Sequence, residues 1–195
     1  MARSYTPTAM YRYGAMQKAG GAGIGGGIST DTGFIDLVTF TDNAAVGTTV
    51  WVNPTFAATE DANTASAVSA ATNAISHFLH AVDLTGTPIP TGASIDGVEV
   101  GIRSDTATGS SIVDRASLVT AAGIQVPSAS ASEELQGVTP AHITIGGPTN
   151  MWGIGLTAAD VNDVGFGVAI SIENLGGAFN TCVIYHVEMK VYYTT

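Results

Sequence analysis

The segment from Ile89 to Arg103 constrains the fold most. Pro90 and Gly92 stop whatever precedes it, and an extended run then alternates apolar with polar residues. Val98, Val100 and Ile102 point one way, and Glu99, Gly101 and Arg103 the other. A period of two marks a strand with one buried face. Two later segments repeat it. Phe166, Val168, Ile170 and Ile172 alternate with Gly167, Ala169 and Ser171. Val183, Tyr185, Val187, Met189, Val191 and Tyr193 alternate with Cys182, Ile184, His186, Glu188, Lys190 and Tyr192. Strands with one apolar face need a common core, and a second sheet packed over the first supplies it.

Short β-type runs at Phe34–Phe40 and Thr48–Val52 are separated by Asp42-Asn43 and ended by Asn53-Pro54. The stretch from Ala57 to Asn73 mixes Ala with Thr, Ser and Asn and has no apolar stripe, so it reads as a long surface loop. A strand is expected at about Ala74–Leu84. Ser104–Ser111 reads as a polar turn, Ile112–Thr120 as a strand, Pro127–Gly137 as a loop and Val138–Ile145 as a strand. Thr157-Ala158-Ala159-Asp160 resembles a capping box opening one short helical turn. About eight strands with these turn signals predict an all-β fold, a jelly-roll-like antiparallel β-sandwich spanning residues 34–195.

Residues 1–33 differ from the rest and form an extended N-terminal arm. Arg3, Arg12 and Lys18 are half of all Lys and Arg, and no acid precedes Asp31. The residues before Asp31 therefore carry +3, while the three cations and 16 acids from Asp31 onward give −13. Tyr5, Tyr11 and Tyr13 are interleaved with the cations, and a glycine-rich tract over residues 20–27 supplies a hinge. A basic, tyrosine-bearing arm on such a hinge reads as a docking segment for an acidic protein surface, with Arg3, Tyr5, Tyr11, Arg12, Tyr13 and Lys18 as the partner-binding residues. The hinge also matches the dinucleotide pattern at Gly21-x-Gly23-x-x-Gly26. That pattern needs a hydrophobic strand before it and a helix after it, and this one has neither.

Composition narrows the classes further. A net charge of −10, with 6 Lys and Arg against 16 Asp and Glu, disfavours a general nucleic-acid binder, which displaces counterions with cations. Only 11% of residues are charged, which suits a subunit covered by neighbours better than a free monomer. No apolar run reaches the roughly 20 residues of a membrane span, and Met1–Lys18 lacks the apolar core of a signal peptide. Cys182 is the only cysteine, so no intrachain disulfide is possible, and a buried inert thiol is expected.

A series of short motifs carries a resemblance. It runs through Trp51-x-Asn53-Pro54, Ile89-Pro90-x-Gly92-Ala93-x-Ile95-x-Gly97-Val98-x-Val100 and Gly146-Gly147-Pro148-Thr149-x-Met151-Trp152-Gly153. It continues through Thr157-x-Ala159-Asp160-Val161-Asn162 and Phe166-Gly167-Val168 to the closing Val191-Tyr192-Tyr193. From about Trp51 to the C-terminus the chain resembles a loosely defined family of tailed-phage and prophage virion structural proteins. The resemblance implies a β-sandwich virion component and supplies no catalytic residues. The arm lies outside the shared pattern.

Residues with reactive side chains are few and scattered. His77-x-x-His80 lies on a predicted strand, where residues three apart face opposite sides and cannot share an ion. His142 and His186 are remote in sequence. Asp160, Asn162 and Asp163 make an oxygen-rich loop without the glycine turn and distal glutamate of an EF-hand. Glu60-Asp61 and Glu133-Glu134 are adjacent pairs with nothing to set them across a bond. No Gly-x-Ser-x-Gly elbow is present. The expectation is a non-enzymatic protein without metal or cofactor. Its place is the virion, as a capsid decoration or cement protein that forms a homo-oligomer, trimer or dimer. Its partners are the major capsid protein or other virion subunits, with no nucleic acid and no membrane. The alternative is a tail, baseplate or head-fibre component binding a host surface glycan.

Overall fold

The structure is a computed structural model that describes residues 27–86, 88–108, 110–125, 134–135, 141–176 and 180–195. Among them are twelve strands: β1 (Ser29–Asp31), β2 (Ile35–Asn43), β3 (Trp51–Val52), β4 (Ala65–Ser69), β5 (Phe78–Leu84), β6 (Ser94–Thr108), β7 (Ser111–Thr120), β8 (Gly123–Ile124), β9 (Glu134–Leu135), β10 (Ala141–Gly146), β11 (Gly167–Asn174) and β12 (Asn180–Thr194). A 3-10 turn covers Pro54–Ala58, and one helix, α1, covers Ala158–Val161. Every strand pairing is antiparallel. The fold is an all-β, jelly-roll-like sandwich. Seven of the expected strands correspond to β2, β5, β6, β7, β10, β11 and β12; the eighth, Thr48–Val52, shrinks to the two residues of β3, and β4 arises in a stretch that reads as loop.

The front sheet is built on β12, which is 15 residues long and pairs along its length with the equally long β6. β10 pairs with the other edge of β6. The far edge of β12 is shared out: β4 pairs with Asn180–Ile184, β2 with Glu188 and Met189, and β1 with Tyr192–Thr194. The back sheet runs β2-β5-β11-β7, with β8 and β9 on the edge of β7. β2 belongs to both sheets. Its Ile35 and Asp36 pair with β12, and Leu37–Asn43 pair with β5. The sandwich is therefore one sheet curled over on itself.

The alternation that marked β6 sets the core. Val98, Val100 and Ile102 are fully buried, as are Val187, Met189 and Val191 of β12, Val168 and Ile170 of β11, and Val113 of β7. These residues form one continuous apolar cluster with Leu37, Leu79 and Phe166. Fully burying a side chain of this size is worth about 1.5–3 kcal/mol, so the facing apolar sides of the two sheets dominate the stability.

Three sequence expectations are corrected. The stretch from Ala57 to Asn73 is not wholly loop. It contains β4, whose Ala65, Ala67 and Ser69 are buried between β3 and β12. Small side chains alternate there, which leaves too little apolar contrast to read. The polar stretch Ser104–Ser111 is also mostly strand, because β12 is long enough to keep pairing with β6 as far as Thr108. Finally, β12 does not present one face throughout. Its register slips between Ile184 and His186, leaving Tyr185 unopposed. Cys182 and Ile184 therefore enter the core before this bulge, and Val187, Met189 and Val191 after it. One extra residue exchanges the faces of everything beyond it.

The motif residues lock the corners. Trp51 is buried, and its Nε1 donates to the His77 carbonyl at 2.8 Å. Asn53 takes a left-handed φ of 52° ahead of Pro54, which opens the 3-10 turn. Trp152, also left-handed at φ 54°, donates Nε1–H to the Val98 carbonyl at 2.9 Å. Asn162 holds Ile89 as a strand partner would: its Oδ1 accepts from the Ile89 N–H and its Nδ2 donates to the Ile89 carbonyl, each at 2.9 Å. The expected capping box is present, with the Thr157 hydroxyl accepting from Asp160 N–H at 3.2 Å and the Asp160 carboxylate accepting from Thr157 N–H at 2.8 Å.

Candidate functional site

The partner-binding residues expected from sequence, Arg3, Tyr5, Tyr11, Arg12, Tyr13 and Lys18, lie outside the described residues. The described base of the arm is strand β1, held on the C-terminal end of β12. Ile28 and Thr195 add a reciprocal pair of backbone hydrogen bonds at 3.0 and 3.2 Å. Residues 28–31 therefore lie along the edge of β12 in the front sheet.

That outer face gathers the reactive side chains. Because Val98, Val100 and Ile102 turn inward, Glu99, Gly101 and Arg103 face out, and beyond the Tyr185 bulge so do His186, Glu188, Lys190 and Tyr192. Tyr192 donates its hydroxyl to Glu99 Oε2 at 2.6 Å, and Lys190 Nζ lies 3.5 Å from the same oxygen. Lys190 also sits over the Phe34 ring, 4.2 Å from its centre. The Glu99 hydrogen bond, followed by burial, raises the Tyr192 phenol above the usual tyrosine range. Burial alone would lower the Lys190 pKa, but its contact with Tyr192 and the charge of Glu99 outweigh burial, and the net direction is upward. Arg103 reaches Glu60 Oε1 at 2.9 Å and lies over the Tyr185 ring, 5.2 Å from its centre.

A second group lies further along the same face. His142 of β10 and Glu188 of β12 meet across β6, Nε2 to Oε1 at 2.9 Å. They can do so because Gly101 stands between them. A Cβ there would come within 2.9 Å of Glu188 Cγ and Oε1 and of His142 Nε2. His186, mostly buried, faces Asp36 Oδ1 through Nε2 at 3.0 Å. One donor atom each from Asp36, His186 and Glu188 falls within 4.8 Å of the other two. These are the described residues that could hold a metal. In sequence His142 and His186 looked remote; strand register brings both to Glu188.

The other sequence candidates are separate from this face and otherwise engaged. His77 Nδ1 meets Asp42 Oδ2 at 2.8 Å, while His80 is half-buried on β5 and burial lowers its pKa. Asp61 accepts from Asn63, and Asp163 from the Gly165 N–H at 2.7 Å. Glu133 lies outside the described residues, and so does the side chain of Glu134. Cys182 is buried, and burial, reinforced by the charge of Asp105, drives its thiol strongly upward. A thiol held protonated in this way is a poor nucleophile. Among the described residues no helix is long and apolar enough to cross a membrane.

Sequence reasoning missed Phe34, Asp36, Glu188, Lys190 and Tyr192 as members of one site. The available signal was the polar half of each alternating strand, but only the register says which polar residues become neighbours.

Fold and face together define an antiparallel β-sandwich whose outer front surface is charged and aromatic. No protein-family model and no curated protein matches the chain. Among solved structures, it is similar to the N-terminal cellulose-binding domain of β-1,4-glucanase C from Cellulomonas fimi, at 11% identity and a TM-score of 0.34, over 80% of this chain and 87% of that one. A likeness of this degree carries no argument about function.

Proposed function

We propose that the chain is a non-enzymatic structural subunit of a tailed-phage particle. In this reading it is a capsid decoration or cement protein that forms a homo-oligomer, trimer or dimer. It joins the major capsid protein or other virion subunits through its N-terminal arm and sandwich. The observation that carries this reading is what the motif series does. Trp51, Asn53, Trp152, Thr157, Asp160 and Asn162 are all used to lock corners of the sandwich. A rigid scaffold remains, with a basic arm fastened to one edge through β1. Exposed Val50, Val52 and Val68 around β3 and β4 add apolar surface of the kind that neighbouring subunits cover.

The alternative, a tail or head-fibre module gripping a host glycan, needs open aromatic faces for sugar stacking. Trp51 and Trp152 are buried. Phe34, Tyr185 and Tyr192 each carry a cation over the ring. Phe56 is exposed, but among the described residues it stands alone and offers no aromatic platform with Phe34, Tyr185 or Tyr192, which supports the assembly reading.

The test is gold-labelled antibody against this chain on intact virions. Label spread over the head supports the decoration role, and label confined to the tail overturns it. A chain lacking Met1–Gly27 is expected to fold and to fail to join particles; retained incorporation would sink the role of the arm. For the intact chain, docking should weaken as salt rises, because exposed charge pairs are screened. Replacing Arg3, Arg12 and Lys18 by Ala should remove that dependence.

A further inference from the structure

We propose that Asp36, His186 and Glu188 bind one divalent transition-metal ion of the zinc type, with His142 bracing Glu188. Nothing in the sequence pointed to this site, because its ligands come from two strands, β2 and β12, and span residues 36 to 188, while His142 comes from a third, β10. The sheet assembles them in a fixed way. Glu188 and Asp36 are directly opposed in the β12–β2 register, and opposed residues hold their Cβ atoms about 4.5–5.5 Å apart on one face. His186 lies two residues before Glu188, which puts it on that same face. It does so only because of the Tyr185 bulge: Ile184, two residues earlier, points into the core.

The donor set defines the ion. One imidazole with two carboxylates suits zinc and its neighbours, whereas calcium and magnesium prefer oxygen ligands alone. The donors lie within 4.8 Å of one another, and tetrahedral zinc holds such donors about 3.4 Å apart. Asp36, whose side chain is 62% exposed, is free to rotate and close that gap. His186 is only 8% exposed, so its ring is held in place. The two carboxylates are directly opposed across the β12–β2 pairing, an arrangement a divalent cation relieves. His142, 2.9 Å from Glu188 Oε1, stands where a hydrogen-bonded group orients a ligating carboxylate. The absent Cβ of Gly101 leaves room for that contact. An ion here would tie β2 to β12 at the short pairing of Ile35 and Asp36 that joins the two sheets.

The test is titration of the full chain, first stripped with a chelator and then freed of it, with zinc chloride at neutral pH, followed by calorimetry and thermal unfolding. The expected result is one zinc per chain and a Tm rise of about 5–10 °C at a hundredfold excess over Kd. Magnesium and calcium should have no such effect. Asp36→Ala and Glu188→Ala should each weaken binding at least about a hundredfold, and His142→Ala about tenfold or more. His80→Ala, on a different strand, should leave it unchanged. His186→Gln should also abolish binding; if that variant does not fold, the two carboxylate variants decide. No saturable zinc binding, or binding that survives Asp36→Ala and Glu188→Ala, overturns the proposal.

Discussion

Asp42 and His77 are 35 residues apart, and their side chains meet at 2.8 Å, Oδ2 to Nδ1. The other oxygen of the same carboxylate accepts the Trp51 backbone N–H, also at 2.8 Å. The Trp51 indole in turn donates to the His77 carbonyl. A single carboxylate thus fastens β2, β3 and the approach to β5. Asp42→Ala strands the Trp51 N–H and the His77 ring together, for an expected loss of about 1–3 kcal/mol. In a chain of this size that lowers Tm by roughly 2–4 °C per kcal/mol. Urea unfolding checks it. Asp42→Asn, which still offers an acceptor to Trp51, should lose less.

The Tyr192 phenol is held protonated by its hydrogen bond to Glu99. Its folded pKa is raised, so the stability it contributes is present below the unfolded tyrosine value and is lost as pH climbs through the folded one. Ultraviolet titration should find Tyr192 ionising after the tyrosines that lack such a bond. Glu99→Gln should bring it down, since the amide removes the charge that opposes phenolate formation.

Asp160 behaves in the opposite sense. The hydrogen bonds from the Thr157 hydroxyl and then its N–H hold this carboxyl below the usual range. Its contribution is therefore present above the unfolded aspartate value and fades as pH falls through the folded one. Acid unfolding of Asp160→Asn should lack that component, with little difference from the parent below about pH 3. Because the side chain is largely exposed, the effect on total stability should be small and confined to α1, visible as faster amide exchange at Asn162.

Cys182, buried on β12 with its thiol pushed upward, should resist thiol reagents in the folded protein and react at once in denaturant. Labelling followed by mass measurement separates the two cases. Rapid modification under native conditions would mean that β12 opens where β4 covers it.

The alternating half-strands at Val98–Ile102 and Phe166–Ile172, the stop at Pro90-Gly92 and the Thr157–Asp160 cap were legible because each is a local pattern of a few residues. The sequence by itself determined a two-sheet β fold and which faces of β6 and β11 turn inward. It also determined the charge contrast between the arm and the rest. Only the tertiary structure decided the remainder. β4 is a strand because β12 and β3 flank it, since its Ala-Ser alternation carries little hydrophobic signal of its own. The Tyr185 bulge, which turns His186 outward, follows from how β12 must pair with β6 on one edge and with three different strands on the other. Likewise, His142, Glu188, His186 and Asp36 become neighbours through register alone. Register is a property of paired strands, set by burial over the whole sheet, and no single stretch of sequence contains it.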